Sequence, residues 1–302
     1  MRILIAGASG FLGTGLVHSL TDAGHQVQRL VRREPSDPAE IRWNPSRGEL
    51  DPTVVAATDA VINLSGANVN GHRWSEAYKR ELWDSRIGPT ATLAKAIAEV
   101  DKRPATMISS SAVGFYGDTG DRAVDEQSPS PVPGAGFLAE LCTRWEEATR
   151  PAEDAGVRVV HLRTGFPLDR DGGLLKPLLL LFRLGGGAQL GNGTQYLPWI
   201  SRYDWEAATR FLLDREDLAG PVNLTGPEPV TNATFTAALA HQVHRPALLR
   251  VPRIGLKVVL GEFADEALAS QRVRPGVLTA AGFTFRHPDL AAALRWATEH
   301  RD

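Results

Sequence analysis

The sequence predicts an α/β protein: a Rossmann-type doubly wound parallel sheet with a smaller, mainly helical C-terminal lobe. Three observations carry that expectation. Short apolar runs alternate with longer helical patterns from Arg2 to about Leu162, the rhythm of strands buried beneath helices on both faces. A glycine-rich turn, GASGFLG (7–13), follows the first apolar run and opens the first helical one, the context in which such a turn is informative. Beyond Leu162 the alternation stops, and prolines at 227, 229, 246, 252, 275 and 288 cut the chain into short pieces.

Taken in order, ILIA (3–6), QVQRLV (26–31), AVINL (60–64), TMIS (106–109) and VRVVHL (157–162) read as buried strands, being short, apolar and bounded by turn residues. Leu12, Leu16 and Leu20 share one face of the first helix, and Gly24 stands where a C-terminal cap is expected. Phe137, Leu141, Trp145 and Ala148 stripe a later helix. After a glycine loop, GGGAQLGNGT (185–194), PWISRYDWEAATRFLL predicts a turn and a helix, and PVNLT (221–225) a short strand. Thr231 or Asn232 is expected to cap a helix running to about His241. The expected organisation is a nucleotide-binding domain over 1–166, with 201–225 packing back onto it, and a second lobe made of 167–200 and 226–302.

Charge and composition exclude several classes of function. The chain has 302 residues with 33 basic against 35 acidic and no long run of either sign, so neither nucleic acid nor an anionic membrane is an expected partner. A single cysteine, Cys142, excludes an intrachain disulfide framework and fits a reducing compartment. MRILIAG leads straight into a strand pattern without a secretory signature. The longest apolar run, Leu178 to Phe182, is far too short to cross a bilayer. The expectation is a cytoplasmic protein acting on a small molecule, with its oligomeric state, monomer or homodimer, left open.

Glycines at 7, 10 and 13 permit a tight turn, close approach of the backbone to a pyrophosphate, and close helix–strand packing. This G-x-x-G-x-x-G spacing resembles the short-chain dehydrogenase/reductase superfamily, in particular its extended, epimerase-like branch. INLSG (62–66), SSSAVGFYG (109–117) and LRTGFPL (162–168) resemble further segments of that branch, in order and at plausible spacing. The resemblance implies cofactor contacts from Gly7, Ser9, Gly10, Phe11, Leu12 and Gly13. It implies others from Leu64, Ser65 and Gly66, from Ser109, and from Arg163, Thr164 and Gly165 toward the nicotinamide. Charge selects the cofactor. The second strand ends LVRRE, with Val31 where a ribose-binding acid would stand and Arg32 and Arg33 following. Two guanidiniums attract a 2′-phosphate that a carboxylate would repel, so NADP(H) is predicted.

In the superfamily a serine positions the substrate oxygen, a tyrosine transfers the proton, and a lysine four residues later lowers the tyrosine's pKa. Ser111 fits the first role by register. Phe137 and Leu141 fall on the tyrosine and lysine positions, which excludes the standard mechanism. Arg86, in DSRIGPT (84–90), stands where the resemblance places an asparagine; it can hold a substrate carboxylate or phosphate, or pair with a scaffold acid. Tyr116, just past the strand end, is the candidate replacement acid, with Cys142, Glu140 and Asp118 weaker ones. HQVH (241–244) lacks a third ligand, so no metal site is expected. Trp74, Trp145 and Trp199 offer flat faces for stacking, although Trp145 also belongs to a core stripe.

These departures narrow the resemblance. GASGFLG, NLSGANVNGHRW, KRELWDSR, SAVGFYG, FLAELCTRWE, LRTG, LPWIS and PVTNATF together are similar to one atypical group of epimerase-like NADP-binding proteins with a small C-terminal helical module. Members of that group are called nucleoside-diphosphate-sugar epimerases by analogy. WISRYD (199–204) has Ser201 where the group commonly has histidine. The implied function is an NADP(H)-dependent oxidoreductase or epimerase-type enzyme acting on a small oxygenated substrate, with nucleotide-sugar use inherited only from the resemblance. The competing expectation is a non-catalytic NADP(H) sensor.

Overall fold

A computed structural model describes residues 1–129 and 135–299. Its first half runs β1 (Arg2–Ala6), α1 (Phe11–Asp22), β2 (Gln26–Val31), β3 (Glu40–Arg42), α2 (Pro52–Ala56), β4 (Ala60–Asn63), α3 (Glu76–Glu99) and β5 (Thr106–Ala112). There follow α4 (Phe137–Glu147), α5 (Arg150–Asp154), β6 (Arg158–Thr164), β7 (Phe166–Leu168), α6 (Leu175–Arg183), β8 (Ala188–Leu190), β9 (Tyr196–Leu197) and β10 (Trp199–Ser201). Next come α7 (Arg202–Asp214), β11 (Gly220–Leu224), β12 (Val230–Thr231) and α8 (Asn232–Gln242). Short helices dominate the remainder, as the prolines require.

Seven strands form one sheet in the order β11-β6-β5-β4-β1-β2-β3. The ladders from β3 through β2, β1 and β4 to β5 are parallel. Chain order therefore reverses beside β1, and in open parallel sheets the carboxyl ends of the strands at such a switch are where ligands bind. Leu64 N donates to Ala6 O at 2.8 Å, tying the exits of β4 and β1 together. The three-residue β3 was not expected, because it is too short to display a pattern.

The chain divides into two compact units. One comprises Met1–Ser111, Leu141–Leu162 and Thr209–Pro221. Its core joins Leu4, Val61, Met107 and Val159 from the strands to Leu93, Ala94 and Ile97 of α3, each large side chain contributing about 1.5–3 kcal/mol by leaving water. The other comprises Ala112–Glu140, Arg163–Ala208 and Val222–Asp302. Leu168, Leu175, Leu179, Phe182, Trp199, Phe235, Leu239 and Leu294 fill its core. Local signals hold in both. Gly24, at φ +83°, follows the last turn of α1, and the Thr231 hydroxyl caps α8 by accepting from Thr234 N.

Candidate functional site

Gly7 leaves β1 with φ +79°, a backbone conformation that a Cβ makes unfavourable. A Cβ there would also stand 2.5 Å from Leu64 O, and one at Gly13 would press into the carbonyl oxygen of Gly7. Gly10 N closes the turn on Gly7 O at 3.1 Å. Gly10 is the N-cap of α1 and supplies no side-chain cap, and the first turn contains no acid. The amides of Phe11, Leu12 and Gly13 consequently have no hydrogen-bond partner among the described residues. Three open donors at a positive helix end, reached over bare glycine, fit a diphosphate. Ser9 lies exposed on the rim of the same turn.

The loop after β4 is fixed from below. Asn63 is fully buried; its Oδ1 accepts from Ser65 N at 3.1 Å and its Nδ2 donates to Thr90 Oγ1 at 2.8 Å. Leu64, Ser65 and Gly66 are thereby held beside the glycine turn, with Gly66 exposed. Ser109, fully buried on β5, lies 3.5 Å from the Asn63 amide.

The two arginines after β2 differ in their surroundings. Arg33 is locked onto Glu40 by two bonds of 2.7 and 2.8 Å, and the pair draws in Ser36. The Arg33 hydrogen bond and the Ser36 amide bring the Glu40 carboxyl down to about 2. Arg29 pairs with Asp37 and Glu40, and Arg42 with Glu34. Arg32, exposed, has neither an ion pair nor a side-chain hydrogen bond among the described residues. It is the cation this segment leaves uncommitted.

On β5, the buried Ser111 hydroxyl donates to Glu146 Oε1 at 2.7 Å. Glu146 is on α4, where Leu141 is only 1% exposed and Ala139, Cys142 and Trp145 are also buried. Phe137, half-buried, begins that helix. Arg86 projects from α3. Its guanidinium donates to Ala67 O at 2.9 Å and Leu82 O at 3.1 Å and lies 5.0 Å from the Trp145 ring centroid. Burial lowers its pKa below the usual arginine value.

In the second unit, the buried Tyr116 hydroxyl donates to Asn223 Oδ1 at 2.9 Å and accepts from Arg163 Nη1 at 3.0 Å. Arg163 also stacks 3.4 Å above Phe115. Burial raises the Tyr116 pKa, with Arg163 opposing it. Glu126 anchors this group by accepting from the amide of Asn223 at 2.7 Å, and burial raises its own pKa. Trp205 Nε1 donates to Thr164 Oγ1, and Gly165 is bare because a Cβ would meet Pro198 O. The tryptophans expected to offer stacking faces are committed to packing. Trp74 and Trp199 are buried and donate to Val69 O and Glu228 O, and Trp145 donates to Thr90 Oγ1. No group of three or more metal-ligating side chains occurs among the described residues.

Sequence reading missed Asn63, Glu146, Asn223 and Glu126. Only Asn63 carried a signal, its place in INLSG.

Sheet order, switch point and open amide cradle together define a dinucleotide-binding α/β protein of the doubly wound class. The chain belongs to the NAD dependent epimerase/dehydratase family, which residues 3–165 match; residues 251–297 match a domain of unknown function, DUF1731. It is 49% identical over 297 residues to "Epimerase family protein Mb2239" of Mycobacterium bovis, covering 98% of this chain and 97% of that protein. The crystal structure of human epimerase family protein SDR39U1 (isoform 2) with NADPH is 32% identical, with a TM-score of 0.89 over the whole of both chains. A nucleoside-diphosphate sugar epimerase from Corynebacterium glutamicum is 35% identical with a TM-score of 0.81, over 98% of this chain and 59% of that one.

Proposed function

We propose that the protein is an NADP(H)-dependent oxidoreductase or epimerase-type enzyme acting on a small oxygenated substrate. The observation that carries this reading is the open amide cradle of Phe11, Leu12 and Gly13 together with the uncommitted Arg32. The cradle suits the diphosphate and Arg32 suits a 2′-phosphate. The NADPH-bound human relative supports the same choice of cofactor.

When bound, the nicotinamide supplies or accepts a hydride. The chain has to manage the accompanying proton. Tyr116 is poorly placed to do so, since its hydroxyl already donates to Asn223 and accepts from Arg163. Ser111 and Glu146 form a shorter path. In the oxidative direction the substrate hydroxyl gives its proton to the serine oxygen as the serine passes its own to Oε1 of Glu146, and in the reductive direction both transfers run the other way. Nucleotide sugars are one substrate class to try, on the strength of the family alone.

Fluorescence titration tests the cofactor: NADPH is expected to bind at least tenfold more tightly than NADH, and equal affinities refute the assignment. Turnover with a panel of carbonyl compounds and nucleotide sugars, suppressed by Ser111→Ala, tests the chemistry. The apolar Phe137 and Leu141 and the committed Tyr116 hydroxyl favour a second reading, a nicotinamide-nucleotide sensor. Tight NADPH binding without turnover across the panel supports that one instead.

A further inference from the structure

We propose that Arg86 is an oxyanion-holding residue, taking a carboxylate or phosphate group of a ligand bound beside the loop Leu64–Ala67. The proposal deepens the reading above and rests on it for the identity of that ligand.

Arg86 is a buried cation without a counter-ion. Only 7% of the residue is exposed, yet among the described residues it makes no ion pair. Its acceptors are all neutral: Ala67 O, Leu82 O and, at 3.4 Å, Ser85 Oγ. The titratable groups that bear on its charge are Cys142 of α4 and Tyr78 of its own helix, neither a carboxylate. Guanidinium cannot escape the cost of burial by losing its proton in the accessible pH range. The bonds to Ala67 O and Leu82 O and the Trp145 ring 5.0 Å away offset part of that cost but supply no opposite charge, and an apolar side chain of similar volume is commonly as stable or more so. An anion that arrives with a ligand removes the imbalance.

The surroundings show where that anion would approach. Gly66 is exposed, and a Cβ there would stand 3.2 Å from Cζ of Arg86. Only a bare backbone therefore covers the guanidinium on that side. The same loop touches the glycine turn, because Leu64 O is the atom that a Cβ at Gly7 would strike. Arg86 thus lies one loop away from the amide cradle, and next to Cys142, the residue after the apolar Leu141.

Two sources can supply the oxyanion: the dinucleotide's own diphosphate, or an acidic group on the substrate. Two variants separate them. Arg86→Met removes charge and donors, whereas Arg86→Gln keeps a donor for Ala67 O and guards against simple misfolding. Melting temperature is measured first, then NADPH affinity by fluorescence, then the melting shift produced by inorganic phosphate and by oxalate with and without NADPH.

The expected result is that Gln, and Met if it folds, melts within a few degrees of the parent while one anion response falls at least tenfold. Loss of NADPH affinity assigns the diphosphate; retained NADPH affinity with loss of the phosphate or oxalate shift assigns the substrate. Arg86→Lys should restore part of whichever response was lost. The proposal is overturned if Gln retains every anion response, or if both neutral variants lose stability while their folded fraction binds all probes normally. If wild-type protein fails to bind NADPH, the functional reading falls, while the phosphate and oxalate arms still judge Arg86.

Discussion

Replacing Arg32 with alanine should cost NADPH affinity and leave NADH affinity unchanged. The magnitude follows from what surrounds the side chain. Arg29, Arg33 and Arg42 are each paired with an acid, so only Arg32 is available without first breaking a bond. A unit pair at about 4 Å is worth roughly 1–4 kcal/mol for an effective dielectric between 80 and 20. Solvent screening and side-chain ordering bring exposed pairs down to roughly 0.2–1 kcal/mol. A phosphate carries nearly two charges and accepts bidentate bonds, which returns the expected loss to about 1–2 kcal/mol, or roughly 5–30-fold in Kd. Fluorescence titration with both cofactors measures it, and the NADPH preference should narrow as salt is raised. Arg33→Ala should also weaken NADPH, for a different reason: it leaves the Glu40 carboxylate with only the longer Arg29 contact and Ser36, so more of its charge bears on the phosphate. Adding Glu40→Gln to Arg33→Ala should then restore affinity. Equal losses for both cofactors in Arg32→Ala, or no loss for NADPH, would refute the reasoning.

Three further outcomes can be checked. Gly13→Ala forces a methyl into the Gly7 carbonyl, so a loss of about 1–3 kcal/mol in urea unfolding is expected, with NADPH binding falling alongside; an unaltered midpoint would show that the turn relaxes freely. Tyr116→Phe removes the hydroxyl that accepts from Arg163 and donates to the buried Asn223 Oδ1, for about 1–2 kcal/mol of destabilisation, and a change below about 0.5 kcal/mol would mean the network is not intact in solution. Stability should fall with acid in two stages. Burial lowers the His287 pKa from its usual 6.5, against the opposing charge of Asp204, so its contribution is present above about 6.5 and declines below it as the unfolded chain takes up the proton. Glu40 and Asp217, each at about 2 against a usual 4.5 and 3.8, add a second decline below those usual values; Glu40→Gln should shrink that stage and leave the first.

The parts of this molecule that were legible in its sequence are those encoded by neighbouring residues. β1, β2, β4, β5 and β6 announce themselves as short apolar runs, and GASGFLG because its glycines answer to backbone geometry. What stayed hidden depends on residues far apart in the chain. Arg32 and Arg33 are adjacent and look equivalent; only Glu40, from a three-residue strand without a pattern, separates them. Ser111 was recognisable by register, but its partner Glu146 lies 35 positions away, and the Asn223 that occupies Tyr116 lies 107 away. Trp74 and Trp199 offered flat faces in sequence, and burial removed them from any stacking role.

The same distance effect bears on the missing tyrosine and lysine. Read along α4 alone, Phe137 and Leu141 are a loss of function. Read with α3, the same helix is tied to the loop beside the glycine turn through Thr90. Thr90 Oγ1 accepts from Asn63 Nδ2 and Trp145 Nε1 and donates to Arg86 O. One hydroxyl thus joins the loop beside the glycine turn, the apolar face of α4 and the backbone of the arginine. A sensor needs the amide cradle, but it has no evident use for a serine donating to a carboxylate on α4 and a buried cation on α3. Ser111→Ala and Arg86→Gln therefore discriminate between the readings as a pair: an enzyme should lose turnover in both while retaining its fold, and a sensor should show no turnover to lose.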